Sequence, residues 1–176
     1  MKRAWLPLVS FFIGLLLVPA SVYLYLGLGR PPATVADQPF PFEKRIVRSI
    51  LHKRIENEMP SQAAISLTPE ALRNGVSIYK RDCSFCHGLP GHPSNYGKSM
   101  YPSAPQLWVS HRSGVVGVSD DPVGETYWRV KNGIRLTGMP SYGRLLSEDE
   151  MWQVSLLLSQ AAKPLPTEVQ SALSHD

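Results

Sequence analysis

Cys83-Ser84-Phe85-Cys86-His87 is the stretch of this sequence that decides its fold. Its two thiols lie one helical turn apart, and an imidazole follows the second thiol directly. The chain has 176 residues and these are its only two cysteines, so a disulfide-dense scaffold is excluded. The spacing leaves three kinds of site: a redox-active dithiol, half of a zinc site, or a haem attachment site.

The rest of the sequence weighs against the first two kinds of site. A structural zinc site needs four ligands, yet no second cysteine pair exists, and His92 and His111 are 19 residues apart. A thioredoxin-like dithiol belongs in a βαβ unit, whereas the segments around this motif have helical patterns. Haem attachment needs two thiols that form thioethers with the vinyl groups and a histidine that ligates the iron. We therefore predict one haem c, bound covalently through Cys83 and Cys86, with His87 as an iron ligand.

The first 30 residues combine a positive start with a long apolar run. Lys2 and Arg3 precede residues 5–28, which carry no charged side chain. At about 1.5 Å per residue this run makes a helix of about 36 Å, enough to cross a hydrocarbon core of about 30 Å. The positive residues are expected on the cytoplasmic side, so the rest of the chain would lie on the periplasmic (outer) side. We predict that residues 1–30 are a single-pass anchor in the cytoplasmic membrane.

A cleaved signal peptide is the alternative for the same residues. Ala20 offers the small side chain that a signal peptidase needs just before its cut. Against cleavage, the apolar run continues from Ser21 to Leu28. Both alternatives deliver the motif to the outer side of the membrane, where haem of this kind is attached.

The charge distribution argues against a nucleic-acid partner. The formal net charge is +4, and residues 1–65 carry eight basic and four acidic side chains, whereas residues 66–176 carry ten of each. A nucleic-acid-binding protein would normally have a basic patch on its folded domain. We therefore expect no nucleic-acid partner.

Residues 31–65 combine a Pro-rich linker with one amphipathic helix. The linker is expected to be extended and fairly stiff. From Phe42, apolar residues recur at helical spacing among basic ones, and the helix should end before Pro60. This helix could lie on the membrane surface or pack on the following domain, and we favour packing. His52 is interpreted as a solvated polar residue of this helix.

Residues 66–163 are expected to form one all-α domain, because several helix signals and no convincing strand pattern occur there. The signals are the helix start Thr68-Pro69-Glu70, the segment 124–132 with Gly133 after it, and the capping box Ser147-Glu148-Asp149-Glu150. The C-terminal tail, residues 164–176, is expected to be weakly ordered.

A second iron ligand is predicted in the loop between the last two helices. Met139 lies between Gly138 and Pro140 in a turn-rich segment, where core packing alone gives no reason for glycine and proline on either side. A thioether is a soft, neutral ligand that raises the reduction potential of haem and suits electron transfer. Met100 is assigned instead to packing or plain exposure. The predicted metal ligands are therefore His87 and Met139.

In the order of these motifs the sequence resembles the class I mono-haem c-type cytochromes, and within them the membrane-anchored periplasmic type. The resemblance covers residues 66–162. It rests on Gly75 and Tyr79 before the haem motif, Ala104-Pro105-Gln106-Leu107 and residues 127–134 after it, Gly138-Met139-Pro140, and Trp152. It implies a cytochrome c fold, three to five helices around a covalently bound haem, here with an N-terminal transmembrane helix. It also implies that the first and last helices of the domain cross, with Gly75 and Tyr79 against Trp152.

The resemblance assigns roles to further residues. The backbone carbonyl of Pro105 would accept a hydrogen bond from the second ring nitrogen of His87. Arg135 is a candidate partner for a haem propionate. Three more side chains would line the haem pocket: Leu107, Trp128 and Ile134.

Ligation by both His87 and Met139 would saturate the iron and leave no position for a substrate. The expected function is one-electron transfer in a respiratory or periplasmic chain, without enzymatic turnover or a small-molecule substrate. The expected partners are a redox donor and a redox acceptor, bound transiently. One alternative is a haem-bearing subunit through which electrons enter an oxidase or dehydrogenase complex. Another is a haem enzyme or gas sensor, in which Met139 is absent or labile as a ligand.

Overall fold

The computed structural model describes residues 5–111 and 114–174, and within them it has helices and no β-strand. The helices are α1 (Trp5–Leu28), α2 (Glu43–Glu58), α3 (Pro69–Asp82), α4 (Ser84–His87), α5 (Asn95–Lys98), α6 (Val123–Asn132), α7 (Glu148–Ser159) and α8 (Thr167–Ser174). The predicted all-α fold class is confirmed. The chain divides into two compact units, Met1–Glu43 and Lys44–Asp176.

Helix α1 dominates the first unit. Its segment Pro7–Leu28 is, among the residues described, the one helix whose length and composition would allow it to cross a membrane. The linker after it was predicted to be extended, but it contains a turn. The Asp37 carboxylate accepts hydrogen bonds from the backbone N–H groups of Ala33 and Thr34, at 2.8 and 2.7 Å. These bonds, first that from Thr34, lower the pKa of Asp37.

The helix starts of the second unit follow the predicted capping signals. Oγ1 of Thr68 accepts a hydrogen bond from the backbone N–H of Ala71 at 3.1 Å, which satisfies one of the free amides of the first turn of α3. At the start of α7, Ser147 and Glu150 form the reciprocal capping box. These local bonds fix where the two central helices of the domain begin.

Helices α3 and α7 cross at Gly75, as the resemblance implied. A Cβ atom on Gly75 would lie 2.5 Å from the backbone oxygen of Gln153 and 3.1 Å from Cβ of Leu157. The glycine therefore lets the two backbones approach more closely than any side chain would allow. This contact explains why a glycine occupies the interior of α3, where it costs about 1 kcal/mol relative to alanine.

The aromatic pairs at this crossing differ from the expected one. Tyr79 meets Trp108 edge-on, with ring centroids 5.5 Å apart. Trp152 stacks on Tyr127 of α6, at 3.9 Å between centroids. The first pair joins α3 to the loop that carries Trp108. The second pair joins α7 to α6, so each large ring packs against the element beside it.

We expect Gly75→Ala to destabilise the haem-loaded domain by about 1–3 kcal/mol, because backbone atoms of α7 would have to move. Denaturant unfolding measures this change. The matched control is Asn74→Ala in the same helix, whose side chain is exposed and whose replacement should change stability by no more than about 0.5 kcal/mol. Equal stability of the two variants would show that the helices do not make this close approach.

The sequence suggested that the C-terminal tail is weakly ordered. The tail instead forms α8, which packs against α3. Val169 and Leu173 are each 1% exposed and belong to the same hydrophobic core as α3 and α7. Arg73 of α3 pairs with Glu168 of α8 at 3.2 Å. The prediction was wrong because an eight-residue helix with two apolar positions has too weak a pattern of its own, and its stability comes from the surface on which it packs.

Leu173→Ala is expected to cost about 2–4 kcal/mol, the usual range for removing a fully buried leucine side chain. Thermal unfolding of the haem-loaded protein measures the loss. Ser171→Ala, at an exposed position of the same helix, should leave the midpoint almost unchanged. If the Leu173→Ala protein were as stable as the Ser171→Ala protein, residues 164–176 would be a weakly ordered tail after all.

The amphipathic helix predicted between Phe42 and Pro60 is present as α2, and its C-terminal half packs on the domain. Ile55 is 1% exposed. The indole nitrogen of Trp128 in α6 donates a hydrogen bond to the Glu58 carboxylate at 3.0 Å. Gly124, at the start of α6, lies directly against the backbone carbonyl of Pro60. These contacts agree with the interpretation that α2 packs on the protein.

Candidate haem site

A cavity of about 590 Å³ lies in the second unit. Its wall contains the four residues predicted to form thioethers or to ligate iron, namely Cys83, Cys86, His87 and Met139. The structure thus brings together residues from the motif and from a loop more than fifty positions later. The volume falls within the range of about 300–1000 Å³ that is usual for cofactor sites.

The local fold of the motif places its functional groups in one helical turn. The backbone carbonyl of Cys83 accepts hydrogen bonds from the N–H groups of Cys86 and His87, at 3.2 and 3.0 Å. Gly88 ends this turn with φ of +73°, a conformation that a glycine adopts without strain. The hydroxyl of the buried Tyr79 donates to the carbonyl of Gly88 at 2.7 Å. The end of the motif is therefore fastened to α3.

The His87 ring is oriented by Pro105. Nδ1 of His87 lies 2.7 Å from the carbonyl oxygen of Pro105. A carbonyl only accepts hydrogen bonds, so Nδ1 carries the proton and Nε2 keeps its lone pair. Burial lowers the pKa of His87, and the bond to Pro105 opposes part of that shift. The result is a neutral imidazole with a free nitrogen, the form that binds a metal.

The protonation of Cys83 argues against a redox-active dithiol. Burial, followed by the neighbouring Asp82 carboxylate, raises the pKa of the Cys83 thiol to about 12. A reactive dithiol needs a cysteine whose pKa is lowered. Within residues 5–111 and 114–174, no group of three or more His, Cys, Asp and Glu residues is arranged to hold a metal ion. Of the three kinds of site that the motif allows, haem attachment fits this geometry best.

The loop that presents Met139 is held by its own hydrogen bonds. The backbone N–H of Ile134 donates to the carbonyl of Met139 at 3.2 Å. The Thr137 hydroxyl donates to the carbonyl of Ile134 at 2.7 Å and accepts from the N–H of Met139 at 3.1 Å. Gly133, with φ of +66°, lies against the backbone of Pro140. The loop that carries Met139 is thus fixed by hydrogen bonds between its own residues.

Tyr142 joins this loop to the motif, a role that the sequence did not reveal. Its hydroxyl donates to the carbonyl of Asp82, next to the first cysteine, at 2.7 Å. Its backbone N–H donates to the carbonyl of Val130 in α6 at 3.0 Å. Burial raises the pKa of Tyr142 to about 12, so the hydroxyl remains a donor at neutral pH. Both sides of the cavity are therefore connected through one side chain.

The other predicted pocket residues divide into two groups. Leu107 and Ile134 line the cavity. Arg135, the candidate propionate partner, is exposed and does not line it. Arg135 follows the first residue of the Met139 loop, where the chain has turned toward solvent.

Trp128 does not line the cavity, contrary to the role that the resemblance gave it. Helix α6 turns Thr126 and Arg129 toward the cavity, and Trp128 lies about 100° around the helix from Arg129. Its indole is buried instead against α2, where it donates to Glu58. The tryptophan therefore positions α2 and does not form the wall.

Met100 is a cavity residue that the sequence analysis missed. It lines the same cavity as Met139, and its terminal methyl group lies where a Cβ atom of Gly138 would be. Met100 follows α5 in a loop without periodicity, so no pattern in the sequence indicated that its side chain lines the cavity. The cavity thus contains two thioethers.

Helix α2 supplies a second group of cavity residues that the sequence analysis missed. One face of this helix lines the cavity with Arg48, Leu51, His52 and Ile55. His52, interpreted from the sequence as a solvated residue, is 65% exposed at its side chain and lies 3.2 Å from the Glu56 carboxylate.

The cavity has the donor set and the wall that a covalently bound haem requires. It offers one free imidazole nitrogen, thioethers on other elements, and two thiols one turn apart. The remainder of the wall is mainly apolar: Leu51, Ile55, Leu107, Val118, Val130, Ile134, Val154 and Leu158. An apolar wall with a few convergent polar groups is typical of cofactor sites.

A family model described as cytochrome c oxidase, cbb3-type, subunit III matches residues 69–156, half of the chain. The chain belongs to this family. The matched segment begins at the first residue of α3 and ends within α7, so it contains both the motif and Met139. This segment is a c-type cytochrome domain, and its family implies haem-based electron transfer. Helices α1, α2 and α8 lie outside it. No curated protein matches the chain.

Proposed function

We propose that this cytochrome is a one-electron carrier with a single haem c, bound through Cys83 and Cys86 and ligated by His87 and Met139. The observation that supports this proposal is that an imidazole and a thioether from separate elements line one cavity. The bound haem supplies the one-electron chemistry. If His87 and Met139 both ligate the iron, no position would remain for a substrate. The protein would then pass electrons without turnover of its own.

The proposed location is the outer side of the cytoplasmic membrane, with α1 as the anchor. Lys2 and Arg3 precede the apolar helix and favour a cytoplasmic N-terminus. The donor and acceptor would then be redox proteins of a respiratory or periplasmic chain, and contacts between such partners are small and transient. The mass of the purified protein separates an anchor from a signal peptide, because cleavage after Ala20 would leave a chain that starts at Ser21.

Visible spectroscopy of the purified protein tests the ligation and the function together. The reduced protein should be low-spin and should not bind carbon monoxide. Its redox titration should fit a one-electron couple with a single haem per chain. A high-spin haem that binds carbon monoxide would reject the carrier and favour an enzyme or gas sensor with an open iron site.

A second candidate function is that of a haem-bearing subunit through which electrons enter an oxidase complex. It is favoured by the family description, which names an oxidase subunit. Extraction of the tagged full chain in mild detergent separates the two candidates. A carrier should elute alone and should be oxidised by added membranes, whereas a subunit should elute with further haem-containing chains at a fixed ratio.

A further inference from the structure

We propose that α2 is part of the haem-binding site, with Arg48 as the partner of a haem carboxylate. This inference rests on the proposed covalent haem. The family match begins at Pro69, after α2, and so assigns this helix no role.

The C-terminal end of α2 and Pro60, just after the helix, are held on the domain by three separate contacts. Ile55 is almost completely buried, and the Trp128 indole donates to Glu58 at 3.0 Å. A Cβ atom on Gly124 would overlap the carbonyl of Pro60, so the backbones touch at this point. A helix held in this way has a defined rotation about its axis and a defined position over the cavity.

That rotation presents one face to the cavity. Residues 48, 51, 52 and 55 have the spacing i, i+3, i+4 and i+7, which places them on one stripe of a helix, and all four line the cavity. Ile46 and Ile50 lie on the opposite side and are exposed. The sequence pattern alone would have buried Ile46 and Ile50 together with Ile55.

On the cavity wall, Arg129 and Asp82 each have oppositely charged neighbours. Arg129 contacts the carboxylates of both Asp121, at 3.0 Å, and Glu125. Asp82 pairs with Arg81 at 2.7 Å. These groups therefore have their counter-charges within the protein.

Arg48 is different. His52, its neighbour on the same face, lies 3.2 Å from Glu56. Among the residues that the structure describes, no carboxylate forms an ion pair with Arg48. Arg48 lines the cavity and is itself exposed, so this residue lies where the cavity is open to solvent. The cavity thus has one unbalanced cation where it meets solvent.

A haem carboxylate has the chemistry that this position lacks. Haem carries two ionised carboxylates, and an ionised carboxylate is costly to bury without a cation and hydrogen bonds. They are therefore expected at the polar mouth. The guanidinium group of arginine is planar and forms paired hydrogen bonds to a carboxylate. Arg129 already contacts two carboxylates, so Arg48 is the better partner.

The test compares the redox equilibrium of the full-length, haem-loaded protein with three variants. A positive charge beside the haem favours the reduced state, so Arg48→Gln should raise the oxidised-to-reduced ratio at a fixed applied potential by about three- to tenfold. A tenfold change corresponds to 59 mV for a one-electron couple. Arg48→Lys, which keeps the charge, should stay within about twofold. Arg45→Gln, at an exposed position of α2 outside the cavity wall, should also stay within about twofold.

The outcomes separate this inference from the proposed function. If Arg48→Gln retains its haem and shifts the ratio no more than Arg45→Gln does, Arg48 is not a carboxylate partner and the inference is overturned, while the carrier function stands. If the wild-type chain holds no covalent haem, the proposed function fails first. If Arg48→Gln does not accumulate, Arg48→Met, which keeps the apolar stem, is measured against the same control and judged in the same way.

Discussion

Replacing Met139 by alanine is expected to convert the reduced haem from a six-coordinate, low-spin state to a five-coordinate state that binds carbon monoxide. The loop should keep its shape, because the bonds of residue 139 to Ile134 and Thr137 use only backbone atoms of that residue. The reduction potential should fall, since the thioether ligand raises it. Visible spectra of the reduced protein with and without carbon monoxide measure the first change, and a redox titration measures the second.

Met100→Ala is the matched control for Met139→Ala. The same side chain is removed from the wall of the same cavity, so both variants lose similar apolar contacts. Met100→Ala should remain low-spin and should not bind carbon monoxide. If the two variants exchanged these behaviours, the sixth ligand would be Met100 and the proposed role of Met139 would be wrong. If neither variant changed the spectrum, neither methionine would be the sixth ligand and the proposed role of Met139 would be wrong.

Local signals allowed much of the fold to be predicted from the sequence. Thr68 and the pair Ser147 and Glu150 start helices because their side chains bond backbone amides within the next turn. Such bonds depend only on neighbouring residues, so their sequence patterns are reliable. The order of the motif and of Met139 along the chain likewise predicted which residues meet, because the resemblance gave the topology that connects them.

The parts that could not be predicted depend on contacts between distant elements. Helix α8 forms because α3 offers a surface for Val169 and Leu173. The direction of Trp128 is set by Glu58, seventy positions earlier, and an apolar pattern cannot distinguish a wall of the cavity from a contact with α2. The same reason hides Met100, whose position is set by its contact with Gly138.

The second large effect is expected when both cysteines are replaced. A protein with Cys83→Ala and Cys86→Ala should retain no haem after denaturation, because no thioether remains to hold it. Haem staining of a denaturing gel measures covalent haem directly. Each single variant should keep one thioether and one unreacted vinyl group, whose conjugation with the ring moves the absorption bands to longer wavelength. Phe85→Leu, at an exposed position inside the motif, should keep full covalent haem.

These variants distinguish attachment from ligation because the two depend on different atoms. The double variant still contains His87, with its Nδ1 oriented by Pro105, so it should bind added haem non-covalently and give a low-spin spectrum if Met139 is the second ligand. Covalent haem in the double variant would contradict attachment at Cys83 and Cys86. A double variant that folds but binds no haem would show that the thioethers, and not the axial ligands, supply most of the affinity.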